Sequence, residues 1–206
     1  INASIDSVLL PTMASEQDNH DHVKAMTRRA IKTSTYIMAP LMVGLAFCAE
    51  SVVRLVLTDK WLPCVPFLRI FCITYMAYPI HTANLNAIKA MGRSDLFLKL
   101  EIAKKLVGMI LLASTMFVSI EAMAYSLLLS TLLSMLINSW PNKTLLQYSF
   151  QEQIKDMVPS ILLAFGMGII VFMIGNLKFP TTVLLGIQIL CGAAMYLLGS
   201  KLLKLE

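Results

Sequence analysis

Residues 157–175 read MVPSILLAFGMGIIVFMIG, a run without one charged side chain. At about 1.5 Å per residue a helix of that length is roughly 28 Å long, close to the ~30 Å hydrocarbon thickness of a bilayer. The run shows no alternation of apolar and polar residues, so it does not read as a barrel strand. In hydrocarbon only helices and closed barrels satisfy their own backbone groups. The segment is therefore expected to be a membrane-spanning helix. The composition extends that reading to the whole chain. Its 206 residues are 57% hydrophobic and 14% charged, against about 45–50% and roughly 25% in soluble domains, and the mean hydropathy is +0.73. The expected fold class is all-α, a polytopic transmembrane helical bundle.

Outward from 157–175, similar runs lie at 183–203 downstream and at 122–141, 97–120, 63–90 and 33–57 upstream. That makes six complete spans. Residues 1–13 are apolar but too short to cross, and lack the charged start of a signal peptide. They read as the tail of a seventh helix, so the chain is expected to be a C-terminal fragment.

Charge decides orientation. Alternating sides brings together 15–32, 89–105, 142–156 and the C-terminus, which hold four, five, two and two basic residues, 13 of the 17. Basic residues concentrate on the cytoplasmic side, so the C-terminus is expected there. Trp61 and Trp140 then fall near opposite interfaces as anchors. The net charge of +5 is in this way a topology signal, and no nucleic-acid partner is expected. Cys48, Cys64, Cys72 and Cys191 are scattered without a C-x-x-C pair, which indicates neither a disulfide framework nor a zinc site.

No enzymatic constellation is visible. The sequence lacks G-x-x-x-x-G-K-[ST], G-x-S-x-G and H-E-x-x-H, so no catalytic residue, cofactor or metal is assigned. Asp18, His20, Asp21 and His22 lie together in the first polar stretch and read as a solvated loop that caps the next helix.

The informative residues are polar groups inside spans, which are costly there unless they face protein or water. Tyr75, Tyr78, Thr82, Asn86 and Lys89 recur at i, i+3, i+7, i+11 and i+14 of the second span, within an arc of about 80° at 100° per residue. That face either lines a hydrated cavity or supplies interhelical hydrogen bonds. Arg69 lies early in the same span, where its planar donor fork suits a phosphate or a neighbouring Glu50. Glu50 and Arg54 are spaced i, i+4 in the favoured order for a structural ion pair. Asp6 is a further intramembrane carboxylate, and Pro40 and Pro79 are expected to bend their spans.

Several strings carry a resemblance. Leu9-Leu10-Pro11 with Ser15 resembles a helix end in Wzx-type O-antigen flippases and related polysaccharide exporters. So do Pro40 with Gly44-Leu45, then Ala49-Glu50-Ser51-Val52-Val53-Arg54-Leu55-Val56-Leu57. Lys60-Trp61-Leu62-Pro63, Pro66-Phe67-Leu68-Arg69-Ile70, the string from Asn84 to Met91-Gly92-Arg93-Ser94-Asp95, and Tyr148-Ser149-Phe150 with Gln153, Asp156 and Pro159 follow in matching order. The chain departs from the family pattern at Thr58-Asp59 and at Ile120-Glu121-Ala122.

The resemblance implies the multidrug/oligosaccharidyl-lipid/polysaccharide exporter superfamily, with two six-helix lobes around a central cavity. Residues 1–147 would be most of the second lobe and 148–206 an additional C-terminal helix pair. The implied function is translocation of undecaprenyl-diphosphate-linked oligosaccharide across the bacterial inner membrane by alternating access. Its partners would be the bilayer, that lipid-linked substrate and the N-terminal half of the same chain. Arg69, Tyr75, Tyr78, Thr82, Asn86, Lys89 and Asp6 are the candidate cavity residues. The alternatives are a cation-coupled multidrug antiporter of the same superfamily, or a membrane-embedded polysaccharide ligase or polymerase.

Overall fold

The computed structural model describes residues 2–177 and 179–203, with side chains from Leu9 onward. All regular structure among the described residues is helical. The order is α1 (Asn2–Ser15), α2 (His20–Leu57), a 3-10 turn (Asp59–Cys64), α3 (Val65–Met76), α4 (Tyr78–Ala90), α5 (Ser94–Thr115), α6 (Ile120–Leu145), α7 (Phe150–Gly175) and α8 (Thr181–Leu203).

Helix ends follow local chemistry. α2 starts well before residue 33, where the span was expected, and absorbs most of the stretch read as a loop. Asn19 Oδ1 accepts the backbone N–H of His22 at 3.1 Å, and Asp21 in the first turn complements the positive helix end. α7 likewise begins at Phe150, because Ser149 and Glu152 form a reciprocal capping box. Glu152 N–H donates to Ser149 Oγ at 3.3 Å, and Glu152 Oε2 accepts Ser149 N–H at 2.8 Å. Ser119 Oγ caps α6 through Ala122 N–H at 3.0 Å. Between α4 and α5 the chain turns at Gly92, φ 69°, a left-handed conformation that glycine adopts without a steric penalty.

Among the described residues, five stretches are long and apolar enough to cross a membrane: α2, Asp59–Ala90, α6, α7 and α8. α5 is not among them. Asp95, Lys99, Glu101, Lys104 and Lys105 occupy its first half, so the apolar run begins only at Leu106. The second expected span is also not one rod. Ala77 interrupts it between α3 and α4, because Pro79 has no N–H for the carbonyl of Tyr75 and its ring crowds that turn.

The described chain forms two compact units. The first comprises Ile1–Thr35 with Ala77–Met157, the second Tyr36–Met76 with Val158–Glu206. These units interleave the chain. In the first, α4 packs against α1, α5 and α6, and α5 against α6. The second has a core of Ala39, Val43, Cys48, Ala164, Met167, Val171 and Tyr196. Small residues set the close approach in it, as is usual where helices pack in lipid. A Cβ on Gly168 would fall 2.6 Å from the Phe47 ring and 2.8 Å from Val43 Cγ1, whereas a Cβ on Gly166 meets nothing within 4 Å.

Gly168→Leu should therefore cost about 1–3 kcal/mol through overpacking, while Gly166→Leu stays near wild type. Thermal unfolding of the purified protein in detergent checks this, and equal melting temperatures for the two variants would refute the packing account.

Candidate functional site

The first unit holds a buried polar network that joins α4, α6 and the start of α7. Asn84, Ser139, Asn142 and Gln153 are each fully buried. Asn84 Nδ2 donates to Gln153 Oε1 at 2.7 Å and to Ser139 Oγ at 3.1 Å. Ser139 Oγ donates to Gln153 Oε1 at 3.0 Å, and Asn142 Nδ2 to Asn84 Oδ1 at 2.6 Å. Gln153 Nε2 reaches the carbonyl of Tyr148 at 3.3 Å. Close by on α6, Asn138 Nδ2 lies 3.1 Å from His81 Nδ1. An unpaired amide in this setting costs the full desolvation of the group, so the network fixes one helix register.

Next to it is a charged hub. Asp156 is 95% buried by side chain, and Arg28 holds it in a fork, with Nε on Oδ2 at 2.6 Å and Nη2 on Oδ1 at 2.9 Å. Lys32 Nζ stands 3.2 Å from the same carboxylate. The buried Tyr148 hydroxyl donates to Asp156 Oδ2 at 2.9 Å. Burial first, and then that hydrogen bond, push the Tyr148 phenol well above its ordinary pKa. Lys24 Nζ completes the clasp on the carbonyl of Gln147 at 2.6 Å. Gln147 has φ 50°, an uncommon left-handed conformation for a side-chain-bearing residue.

In the second unit, Glu50, Arg54 and Arg69 line one cavity of about 250 Å³ with Gln188 and the ends of α7 and α8. Arg54 is doubly paired, Nη2 to Glu50 Oε1 and Nη1 to Asp59 Oδ1, each at 2.9 Å. Arg69 does not pair with Glu50. Its Nε donates to the carbonyl of Ala46 at 3.2 Å.

The polar stripe expected on the second span is divided by the Ala77 break. Tyr75 ends up in the second unit, and Tyr78, Thr82, Asn86 and Lys89 in the first. Tyr75 and Tyr78 are half exposed, at 52% and 45%, while Asn86 is buried. Thr82 Oγ1 donates to the carbonyl of Tyr78 at 3.3 Å, and Lys89 Nζ sits 4.5 Å above the Phe97 ring, a cation–π contact. Asp6 has its side chain outside the described residues. His22 Nδ1 is 3.3 Å from Glu16 Oε2 at the start of α2.

Sequence reasoning missed Asn84, Asn138, Asn142 and Ser139. Asn84 lies about 200° around the helix from Asn86, so a stripe built on Asn86 passes it by. The available signal was the i, i+4 pair Asn138 and Asn142, two amides on one face of an otherwise apolar helix.

Comparison with known proteins adds a second line of observation. Residues 1–66 match a family described as polysaccharide biosynthesis protein. The teichuronic acid biosynthesis protein TuaB of Bacillus subtilis (strain 168) is 22% identical over 202 residues, which is 96% of this chain and 42% of that protein. This chain is similar to the polysaccharide biosynthesis membrane proteins. The lipopolysaccharide biosynthesis protein WzxC of Escherichia coli (strain K12) is 24% identical over 104 residues, half of this chain and 21% of that protein. Among solved structures, the lipid II flippase MurJ in an inward closed conformation superposes with a TM-score of 0.80 at 20% identity, over 98% of this chain and 43% of that one. The chain thus has a MurJ-like fold, and it spans less than half the length of the curated relatives it matches. The resemblance to Wzx-type polysaccharide flippases stands, and the chain is a multi-pass helical membrane protein.

Proposed function

We propose that this chain is the C-terminal part of a flippase that moves a lipid-diphosphate-linked oligosaccharide across the bacterial inner membrane by alternating access. The observation that carries the reading is the whole-chain likeness to a protein of teichuronic acid biosynthesis, on a fold of the MurJ kind. In this reading the protein is a carrier and not an enzyme, and the N-terminal half supplies the other wall of the transport path. Residues 1–147 contribute to the second lobe, and 148–206 are the additional helix pair.

Finer points belong to the same proposal. α5 crosses the bilayer as a sixth span, with Lys104 and Glu101 neutralising each other and the exposed Lys105 marking where its apolar run begins, and α1 is the end of a seventh. The C-terminus is cytoplasmic. The candidate path residues are Arg69, Tyr75, Tyr78, Thr82, Asn86, Lys89 and Asp6, with the cations receiving the diphosphate.

The test is complementation of a flippase-null strain with the full-length protein. Lys89→Ala, at an exposed cation on α4, is expected to lower surface polymer about tenfold if it contacts the diphosphate, one charge-assisted hydrogen bond being worth roughly 1.5 kcal/mol or more. Protein level in the membrane should stay unchanged. Wild-type polymer output from Lys89→Ala removes this residue from the path. Failure of the unmutated protein to restore any export of lipid-linked sugar overturns the flippase reading itself.

A further inference from the structure

The cavity of the second unit contains two unmet demands of opposite kind. Gln188 is 2% exposed. Its Nε2 donates to the carbonyl of Val171 at 3.1 Å, but its Oε1 has no hydrogen-bond partner among the described residues. A buried acceptor left alone costs about 1–3 kcal/mol, and Gln188 lines the cavity, so a turn of its amide would bring this acceptor to a donor that arrives from outside. Gly175 makes room for this side chain, because a Cβ there would come within 2.9 Å of Gln188 Nε2.

Arg69 makes the complementary demand. A guanidinium offers five N–H donors, and among the described residues this one has a single partner, the Ala46 carbonyl. Arg54 on the same wall is already satisfied by Glu50 and Asp59, whereas Arg69, which also lines the cavity, has no carboxylate partner among the described residues. A matching ligand must carry an anionic oxygen set for Arg69 and a hydroxyl for Gln188 Oε1.

Size narrows the choice. About 250 Å³ lies below the ~300–1,000 Å³ of pockets for drug-sized ligands. At ~30 Å³ per water it displaces roughly eight waters, enough for a phosphate with a short polyol and too little for a chain of sugars. Its walls also include Phe47, Phe172 and Leu184, with Leu55 and Val56 exposed at the end of α2 and Phe172 and Met173 at the end of α7. An acyl-bearing ligand would find apolar surface there next to the polar cavity.

We propose that this cavity is a binding site for a phosphate-polyol headgroup, carried by an anionic membrane phospholipid of the phosphatidylglycerol type, with Arg69 on the phosphate and Gln188 Oε1 accepting a headgroup hydroxyl. The site shares Arg69 with the candidate transport path, but phospholipid binding here does not require transport.

Native mass spectrometry of the full-length protein in detergent tests this with three probes: phosphatidylglycerol, phosphatidylmethanol of the same charge without a hydroxyl, and free glycerol 3-phosphate. The wild type should retain phosphatidylglycerol several-fold better than phosphatidylmethanol, the worth of one neutral hydrogen bond. Arg69→Gln should weaken both lipids about tenfold, the worth of one charge-assisted bond. Gln188→Leu should erase the preference between the two lipids while leaving phosphatidylmethanol binding unchanged. Arg93→Gln, which removes an equal charge from the turn between α4 and α5, should bind as wild type, and melting temperatures of all variants report whether they fold. Equal lipid retention by wild type and Arg69→Gln overturns the proposal, and Arg69 lies on an exposed surface where that variant is expected to fold. Displacement of the lipid by equimolar glycerol 3-phosphate overturns the assignment to a membrane lipid.

Discussion

Replacing Asp156 by alanine is expected to destabilise the protein by about 3 kcal/mol, the largest effect of any single charge removal in the first unit. The carboxylate accepts from Arg28, Lys32 and Tyr148 at once, and hydrogen bonds to a charged group contribute roughly 1.5–3 kcal/mol each when measured singly. Three full contributions overestimate the loss. The Arg28 and Lys32 side chains are each 51% exposed and regain water when the carboxylate is gone. The buried Tyr148 hydroxyl does not, and its desolvation dominates the remainder. The converse change, Arg28→Ala, should cost less, about 1–2 kcal/mol, since Lys32 and Tyr148 still hold the carboxylate. Urea or thermal unfolding of the full-length protein in detergent gives both numbers. Should Arg28→Ala prove the more damaging of the two, the carboxylate is not the centre of this cluster.

A second large effect is expected at Asn84. Asn84→Ala removes the amide to which Ser139, Gln153 and Asn142 are all tied, leaving polar atoms of three fully buried residues short of partners. At about 1–3 kcal/mol per unsatisfied group, partly offset by Ser139 and Gln153 bonding each other, the loss should be about 2–4 kcal/mol. Membrane hydrogen bonds often measure only ~0.6 kcal/mol because the unfolded helices find other partners. A network of several buried amides should exceed that figure. Thr82→Ala, on the same helix with one hydrogen bond to the Tyr78 carbonyl, is the internal comparison and should cost less than half as much. Equal losses at the two positions would mean that the network has no special weight.

The helical class and most helices were legible because long apolar runs leave few alternatives in lipid. Residues 157–175 needed no partner to be read. Positions where side-chain chemistry sets a boundary were harder. α2 begins at His20 because Asn19 and Asp21 cap it, and its first turns are polar, so a hydropathy window sees only the later half. α5 was read as a span from its apolar tail, although five ionisable residues crowd its opening. Pro79 announced a bend, and the structure shows a one-residue break at Ala77. The i, i+4 relation of Glu50 to Arg54 is local and places them within reach of each other in any helix. Arg69 and Ala46 meet only through packing of two helices, and the Asn84 network requires three. Such long-range partnerships are not encoded in the spacing of any one segment.

The length of α2 has a consequence for how its backbone meets solvent. Its 38 residues make a rod of about 57 Å, nearly twice the ~30 Å hydrocarbon layer. Amides in the lipid half have no water to exchange with, while those near His20 are bathed in it. Deuterium uptake should therefore fall in a gradient along this one helix, and the turns around Lys24, Arg28 and Lys32 should resist labelling only as long as their anchors to Gln147 and Asp156 hold.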